Sequence, residues 1–407
     1  MIAFVSNRVL KGGRKSDNML SITTASQNIP KGAYTVTRHI LSRRHVIRAT
    51  QIAQNSTVST VKDITAPSES TAREKIDEYF TYFKTKAALR PLVYRAKNAS
   101  TLMAMDLIDP ETNEPITPRR PIVSIPNKLL VDYIKSVNTE GSNEFYEWFK
   151  RWTDVTPRKK PIWNYFTPVH LQYMMIQSFF KIGDYARLIG FLYTRWDRFA
   201  KAGNAKIFDV EHFFNTYLMC AIQRGKIFEF NDAEKSKRKL LQAWSRTYSR
   251  DQRTGLCGVL INCFAQQQGF SLSKDGSKAE QELAELSVAA TTKTEGKERG
   301  GVILPKFDPE VATDPQRFLE RNENLYLICR TLLDNALTDN ATITTGPFAE
   351  VQRFVNEYDK LSTSGDSVTA SVGIYEDYME SMRKIWFAKK EQAMEREKQQ
   401  EKAEEEA

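Results

Sequence analysis

Cysteine is scarce in this sequence, with four in 407 residues. Cys220, Cys257, Cys263 and Cys329 form no C-x-x-C pair and sit inside apolar helical patterns. That argues against a zinc spacing or a disulfide framework and assigns the thiols to a reduced core. The four histidines are scattered, with no H-E-x-x-H set. No Gly-rich phosphate loop or G-x-S-x-G elbow is present, and Gly12-Gly13 lies in the basic N-terminal stretch. Carboxylates such as Asp314, Glu320 and Glu323 fall on polar helix faces and converge on no site. The expectation is therefore not an enzyme, with no metal, no cofactor and no small-molecule substrate. No apolar run is long enough to span a bilayer. The densest, Met174 to Leu192, is broken by Lys181, Asp184 and Arg187.

Acidic residues are missing from one end. Residues 1–62 hold ten Lys/Arg and one acid, Asp17, which leaves 49 of the 59 Lys/Arg and 49 of the 50 Asp/Glu for the rest of the chain. The first turns place Ile2, Val5 and Val9 on one side and Arg8, Lys11, Arg14 and Lys15 on the other, and Arg38, Arg43, Arg44 and Arg48 follow. This is the composition of a mitochondrial transit peptide, which puts the mature protein in the matrix. The other reading of the stretch is a basic arm laid on RNA. A secretory signal is disfavoured, because no continuous apolar core is present.

What the chain does have is a repeat. Tyr173 to Gly183, Asn215 to Gly225 and Val259 to Gly269 are three apolar, helix-like runs that each stop at a glycine. A glycine there suits a helix end, because it adopts the left-handed conformation without a Cβ clash. Second helical patterns follow two of the runs, at Tyr185, Leu188, Ile189, Leu192 and Trp196, and at Phe228, Leu240, Leu241, Trp244 and Tyr248. Helix, tight turn, helix, about every 43 residues, is the pattern of an α-solenoid. The fold class expected is all-α, with helical-hairpin repeats and a long C-terminal helix.

Six segments are expected. Residues 1–62 are the leader or arm. Residues 63–156 are a helical region with a Pro-rich loop. A helix is predicted over 69–105, capped by Ser68 or Ser70 with Glu74 in its first turn, and carrying Ile76, Tyr79, Phe80 and Phe83. Prolines 110, 115, 118, 121 and 126 make 109–127 a loop or linker. Helices follow at Lys128–Val137 and Ser142–Trp152, the second aromatic through Phe145, Tyr146, Trp148, Phe149 and Trp152. That cluster is read as core, the other reading being a base-stacking platform. Residues 157–270 are the hairpins and 271–315 a polar, mobile insertion with a short helical piece near Glu280–Ala290. Residues 316–365 are a helical cap. Residues 366–407 are a long charged helix, docked through Tyr375, Met379, Met382 and Trp386 and without an apolar stripe after Phe387.

The basic excess outside the N-terminus falls on the hairpins: residues 150–253 hold 20 Lys/Arg against nine Asp/Glu. Arg158, Lys159 and Lys160 lie beside Trp163 and Phe166 in a Pro-bounded loop, a pattern that serves either phosphate and base contact or a solvated entry to the first hairpin. Lys235, Lys237, Arg238 and Lys239 load one helix, and Lys239, Arg246, Arg250 and Arg253 lie near one face at helical spacing. These are the candidate RNA contacts, with a solvated helix face as the alternative.

The segment from His212 to Lys226 resembles the first helix of a pentatricopeptide repeat, with an aromatic, Asn215-Thr216, an apolar stripe and a basic-Gly turn ending at Gly225. The resemblance implies that Asn215 helps read an RNA base and that the hairpins follow single-stranded RNA. Its counterparts at Tyr173 and Val259 do not suit that role, so what the likeness implies reduces to a helical-hairpin scaffold with a basic surface. The overall layout resembles lineage-specific proteins of the small subunit of fungal mitochondrial ribosomes. That implies a structural role, with mitochondrial rRNA and neighbouring ribosomal proteins as partners. The alternatives are a free mitochondrial mRNA-binding factor and a protein-only assembly factor.

Overall fold

The computed structural model describes residues 71–109, 113–122, 124–228, 232–291, 301–309, 314–336, 347–363 and 373–405. The leader-like stretch 1–62 lies outside these. Among the described residues the protein is all-α, with fifteen α-helices and no strand. Extended pairing is confined there to the isolated bridges Ile108–Pro115 and Asp209–Ser249.

The chain opens with α1 (Ala72–Lys84), whose N-cap is Thr71 rather than Ser68 or Ser70. Thr71 and Glu74 exchange side-chain and backbone hydrogen bonds in a capping box, which satisfies two otherwise orphaned N–H groups. The helix predicted over 69–105 is broken into three, with α2 (Arg90–Val93) and α3 (Ala99–Ala104) following α1. Pro91 opens α2, where its missing N–H has no helical acceptor to lose. Two helices come next, α4 (Asn127–Ser136) and α5 (Ser142–Thr153). The aromatic residues of α5 are core: Trp148 and Trp152 are buried, and their indole N–H groups donate to Asp77 Oδ1 at 2.9 Å and the Ile162 carbonyl at 3.3 Å.

A short α6 (Lys160–Tyr165) leads into the hairpins. Their first helices are α7 (Pro168–Gln177), α9 (Asn215–Phe228) and α11 (Leu256–Gln268), and their second helices are α8 (Tyr185–Ala202), α10 (Ala233–Arg246) and α12 (Lys278–Thr291). Thus the helical piece foreseen near Glu280–Ala290 is a full helix that closes the third hairpin against α11. The two helix classes differ in sequence and hence in place. On α10 the buried residues are Ser236, Leu240, Ala243 and Trp244, a single face at helical spacing. On α7 every residue from His170 to Gln177 is buried, and on α11 Leu256 to Ile261 are buried in succession. A helix buried on all sides must be enclosed.

The enclosure comes from the chain's own C-terminal third. Helix α13 (Pro315–Ala336) packs against α7, α9 and α11 in turn, and α14 (Pro347–Thr363) pairs with α13. Buried side-chain hydrogen bonds pin these layers together. Gln172 donates to Thr216 at 3.0 Å and accepts from Asn324 at 3.2 Å. Gln223 donates to Thr331 at 2.9 Å and to the Tyr375 hydroxyl at 2.7 Å. All four cysteines are buried and free, as their apolar surroundings in the sequence imply. Burial pushes their thiols up, that of Cys263 to about 11, which makes them poor nucleophiles at neutral pH.

Of the three repeat glycines, two end helices. Gly183 (φ +80°) and Gly269 (φ +69°) take the left-handed conformation. At Gly225 the structure corrects the expectation, because α9 runs through it to Phe228. Its glycine answers a close approach instead: a Cβ there would lie 2.6 Å from Gln267 Oε1 and from Gln268 Nε2 of α11. Two π-helical turns, Ser178–Ile182 and Val210–Phe214, also extend α7 and precede α9. The first ends at Gly183 and receives the last helix, α15 (Ile374–Glu405). Tyr375, Tyr378, Met379 and Met382 of α15 are buried, Lys181 pairs with Asp377 at 2.9 Å, and Lys389 Nζ donates to the Gly183 carbonyl. From Phe387 to Gln400 the described side chains of α15 are all exposed. Among the described residues no helix is long and apolar enough to cross a membrane.

Gly183 tests this docking. A left-handed alanine costs about 1–2 kcal/mol from the backbone alone, and its Cβ would also lie 2.3 Å from Ile385 Cγ2. Gly183→Ala should lower stability in chemical denaturation and speed tryptic cleavage at Arg383, Lys384 and Lys389. Gly190, mid-helix with nothing within 4 Å of its would-be Cβ, should instead gain up to about 1 kcal/mol as alanine. Equal effects at the two sites would refute the lock.

Candidate RNA and protein interface

The loop before α6 divides its three cations. Arg158 is exposed. Lys159 is half-buried, and its ammonium donates to the Lys84 carbonyl at 3.3 Å. Burial, and then the nearby Arg90 guanidinium, lower the Lys159 pKa. Lys160 donates to the Ala202 carbonyl at the C-terminal end of α8, where the helix dipole favours a cation. Trp163 and Phe166 are buried in the first hairpin and are not available for stacking. Of this loop, Arg158 is the cation that faces outward without a structural task.

The basic helix divides in the same way. Asp232 caps α10 by accepting the Lys235 N–H at 2.9 Å. Lys237 reaches across to α12 and pairs with Glu280 at 2.8 Å. Arg250 pairs with Glu282 and lies 4.8 Å over the Trp244 ring. The Arg246 guanidinium lies 5.4 Å over the Trp196 ring, and its carbonyl accepts the Trp196 indole N–H at 2.9 Å. Arg253 is exposed, with its backbone N–H held by Glu211. Lys237, Arg246 and Arg250 therefore join helices to one another. Their partners Glu280, Glu282 and Trp196 were missed in the sequence because the links run between hairpins.

Lys235, Arg238 and Lys239 share α10, and Arg224 of α9 lies near them. Burial is the main cause that lowers the Lys239 ammonium, and Arg224, Lys235 and Arg238 lower it further. These four cations lie near one another on α9 and α10, and Asp232 opposes their effect on Lys239. Arg224 was visible in the sequence only as part of the basic-Gly turn.

The base-reading position is a correction. Asn215 is 1% exposed, and its counterparts Tyr173 and Val259 are 7% and 3% exposed. All three lie on the enclosed first helices, so Asn215 leaves the set of RNA contacts. Gln172 of α7 bonds Thr216 of α9 and Asn324 of α13, and Gln223 of α9 bonds Thr331 of α13 and Tyr375 of α15. Among the described residues no group of three or more His, Cys, Asp or Glu is arranged to hold a metal ion.

Two family models match the chain. The MRP13-like C-terminal domain matches residues 142–397, and the MRP13-like N-terminal domain matches residues 47–136.

The Lys237–Glu280 link carries a pH signature. Its hydrogen bond with Lys237, then the Ser273 N–H, hold the Glu280 carboxyl below its ordinary value of 4.5. The folded state thus binds this proton less readily than the unfolded chain. The contribution is present above about pH 4.5 and lost as the pH falls through the lower, folded value. The stability gap between the protein and Glu280→Gln should be widest near neutral pH and shrink below about pH 4.5. A gap that stays constant on acidification would refute the assignment.

Proposed function

The chain belongs to the MRP13-like family, a mitochondrial ribosomal protein family, and from that premise we propose that it is a structural, non-catalytic component of the small subunit of a fungal mitochondrial ribosome. The observation that carries the reading is the C-terminal match, residues 142–397, which takes in all three hairpins, α13, α14 and most of α15. Its place of work is the matrix, and the acid-poor stretch 1–62 fits an import leader.

In this reading lysine and arginine side chains neutralise rRNA phosphates and release counterions. Arg158, Arg253 and the cluster of Lys235, Arg238 and Lys239 are the contacts offered from the original set. The enclosed first helices favour backbone contact over base-by-base reading. The exposed half of α15, with mixed charge, lies along neighbouring ribosomal proteins.

Sedimentation of a tagged protein from lysed mitochondria, with and without ribonuclease, tests the proposal. The expected result is travel with the small ribosomal subunit through high salt. A protein that stays light would be a free mRNA-binding or assembly factor instead.

A further inference from the structure

We infer that the N-terminal lobe carries an RNA-backbone surface made by Lys86, Arg95, Lys97, Arg119, Arg120 and Arg158. Three stretches build it: 84–98, 117–122 and 155–160. Together they hold ten Lys/Arg and no Asp or Glu. They are distant in sequence, and the fold joins them. The Arg119 N–H donates to the Val93 carbonyl at 2.7 Å, which lays the second stretch along the first. Lys159 Nζ donates to the Lys84 carbonyl at 3.3 Å, which brings in the third.

The scaffold under the surface is ordered. Val93, Tyr94 and Leu102 form a small core of their own, covered by Leu107, Ile116 and Ile122. The Arg90 guanidinium donates to the Phe83 carbonyl at 2.8 Å and the Thr85 carbonyl at 3.2 Å. Asn98 Nδ2 donates to the Pro91 carbonyl at 2.8 Å. Arg90, Lys159 and Lys160 thus serve the structure, whereas the six named cations are all exposed. Pro118 and Pro121 flank Arg119-Arg120 and restrict the backbone there, so little conformational entropy is lost when a ligand binds.

The chemistry of the face selects its partner. A protein interface has an apolar centre and a polar rim. None of the large exposed apolar side chains falls in these three stretches; the nearest in sequence are Met103, Met105, Ile108 and Val169. Three cationic stretches that carry neither acids nor large exposed apolar side chains suit a phosphate backbone, and arginine suits it best because its planar fork meets two phosphate oxygens at once. The inference rests on the ribosomal reading for the identity of the RNA and adds to it where that RNA lies.

The test uses the full chain and a fluorescein-labelled RNA duplex of about 20 base pairs, titrated across salt from about 50 to 200 mM. Arg95→Gln/Arg119→Gln/Arg120→Gln should flatten the slope of log affinity against log salt by about two to three and weaken binding at least tenfold at about 0.1 M salt. The matching triple lysine variant keeps the charge and should keep the slope. An unchanged unfolding midpoint confirms that each variant is folded. Wild-type affinity and slope in the glutamine variant would overturn the inference. So would wild-type protein that holds polyglutamate as tightly as RNA, which would make the surface one for an acidic protein. Either failure leaves co-sedimentation with the small subunit untouched. Loss of co-sedimentation with duplex binding intact would instead strike the ribosomal reading.

Discussion

Burial of three helices on nearly every side governs this molecule. An amphipathic helix needs one neighbour, but α7, α9 and α11 are apolar around most of their circumference and need cover on every side. Their hairpin partners α8, α10 and α12 supply part of it, and α13, with α14 and α15, supplies more. In an open solenoid the first helices would line a surface free for a ligand. Here the chain fills that place with its own C-terminal third, tied in by Gln172, Asn324, Gln223, Thr331 and Tyr375. The hydrogen bonds decide register more than strength. Each adds about 1 kcal/mol net, while leaving one of these buried amides unpaired would cost about 1–3 kcal/mol.

That constraint explains how much was legible in sequence. The existence and type of the elements followed from periodicity, because apolar spacing reports directly which face is buried. The docking of α15 through Tyr375, Met379 and Met382 and its emergence after Phe387 could be read residue by residue. Gly183 and Gly269 ended helices as expected. Gly225 could not be told from them, because a glycine required by a neighbouring helix looks the same in sequence as one required by a positive φ. Asn215 shows the same limit. Its spacing matched a base-reading residue, but α9 is packed against α7, α11 and α13, and Asn215 is buried among them.

The charges were less legible still. Counting them located the basic regions but did not separate cations held by the fold from cations left facing outward. Lys237 and Arg238 are adjacent, yet one spans to Glu280 on another hairpin and the other faces solvent. Lys160 caps α8 while Arg158, two residues away, is exposed. Charge density in sequence is therefore an upper bound on charge available to a partner. The N-terminal lobe illustrates the reverse. Its three basic stretches are modest when taken singly, and the surface exists because the Arg119 amide and the Lys159 ammonium bring them side by side.

The last helix joins the two themes. Phe387 is 60% exposed and Met394 is 45% exposed, with no apolar stripe to hold this half against the body. An isolated helix of that composition would be marginal in water, because nucleation is the unfavourable step. The docked half from Ile374 to Trp386 supplies the nucleus, and Lys389 at the Gly183 carbonyl is the last tie described before the helix leaves the surface. At about 1.5 Å per residue, the free half projects roughly 25 Å beyond that point. Ile385 packs against Gly183, where a Cβ would lie 2.3 Å from Ile385 Cγ2. Gly183 in the first hairpin is thus one of several contacts, with Lys181–Asp377 and the buried Tyr378 and Met382, that hold the last helix.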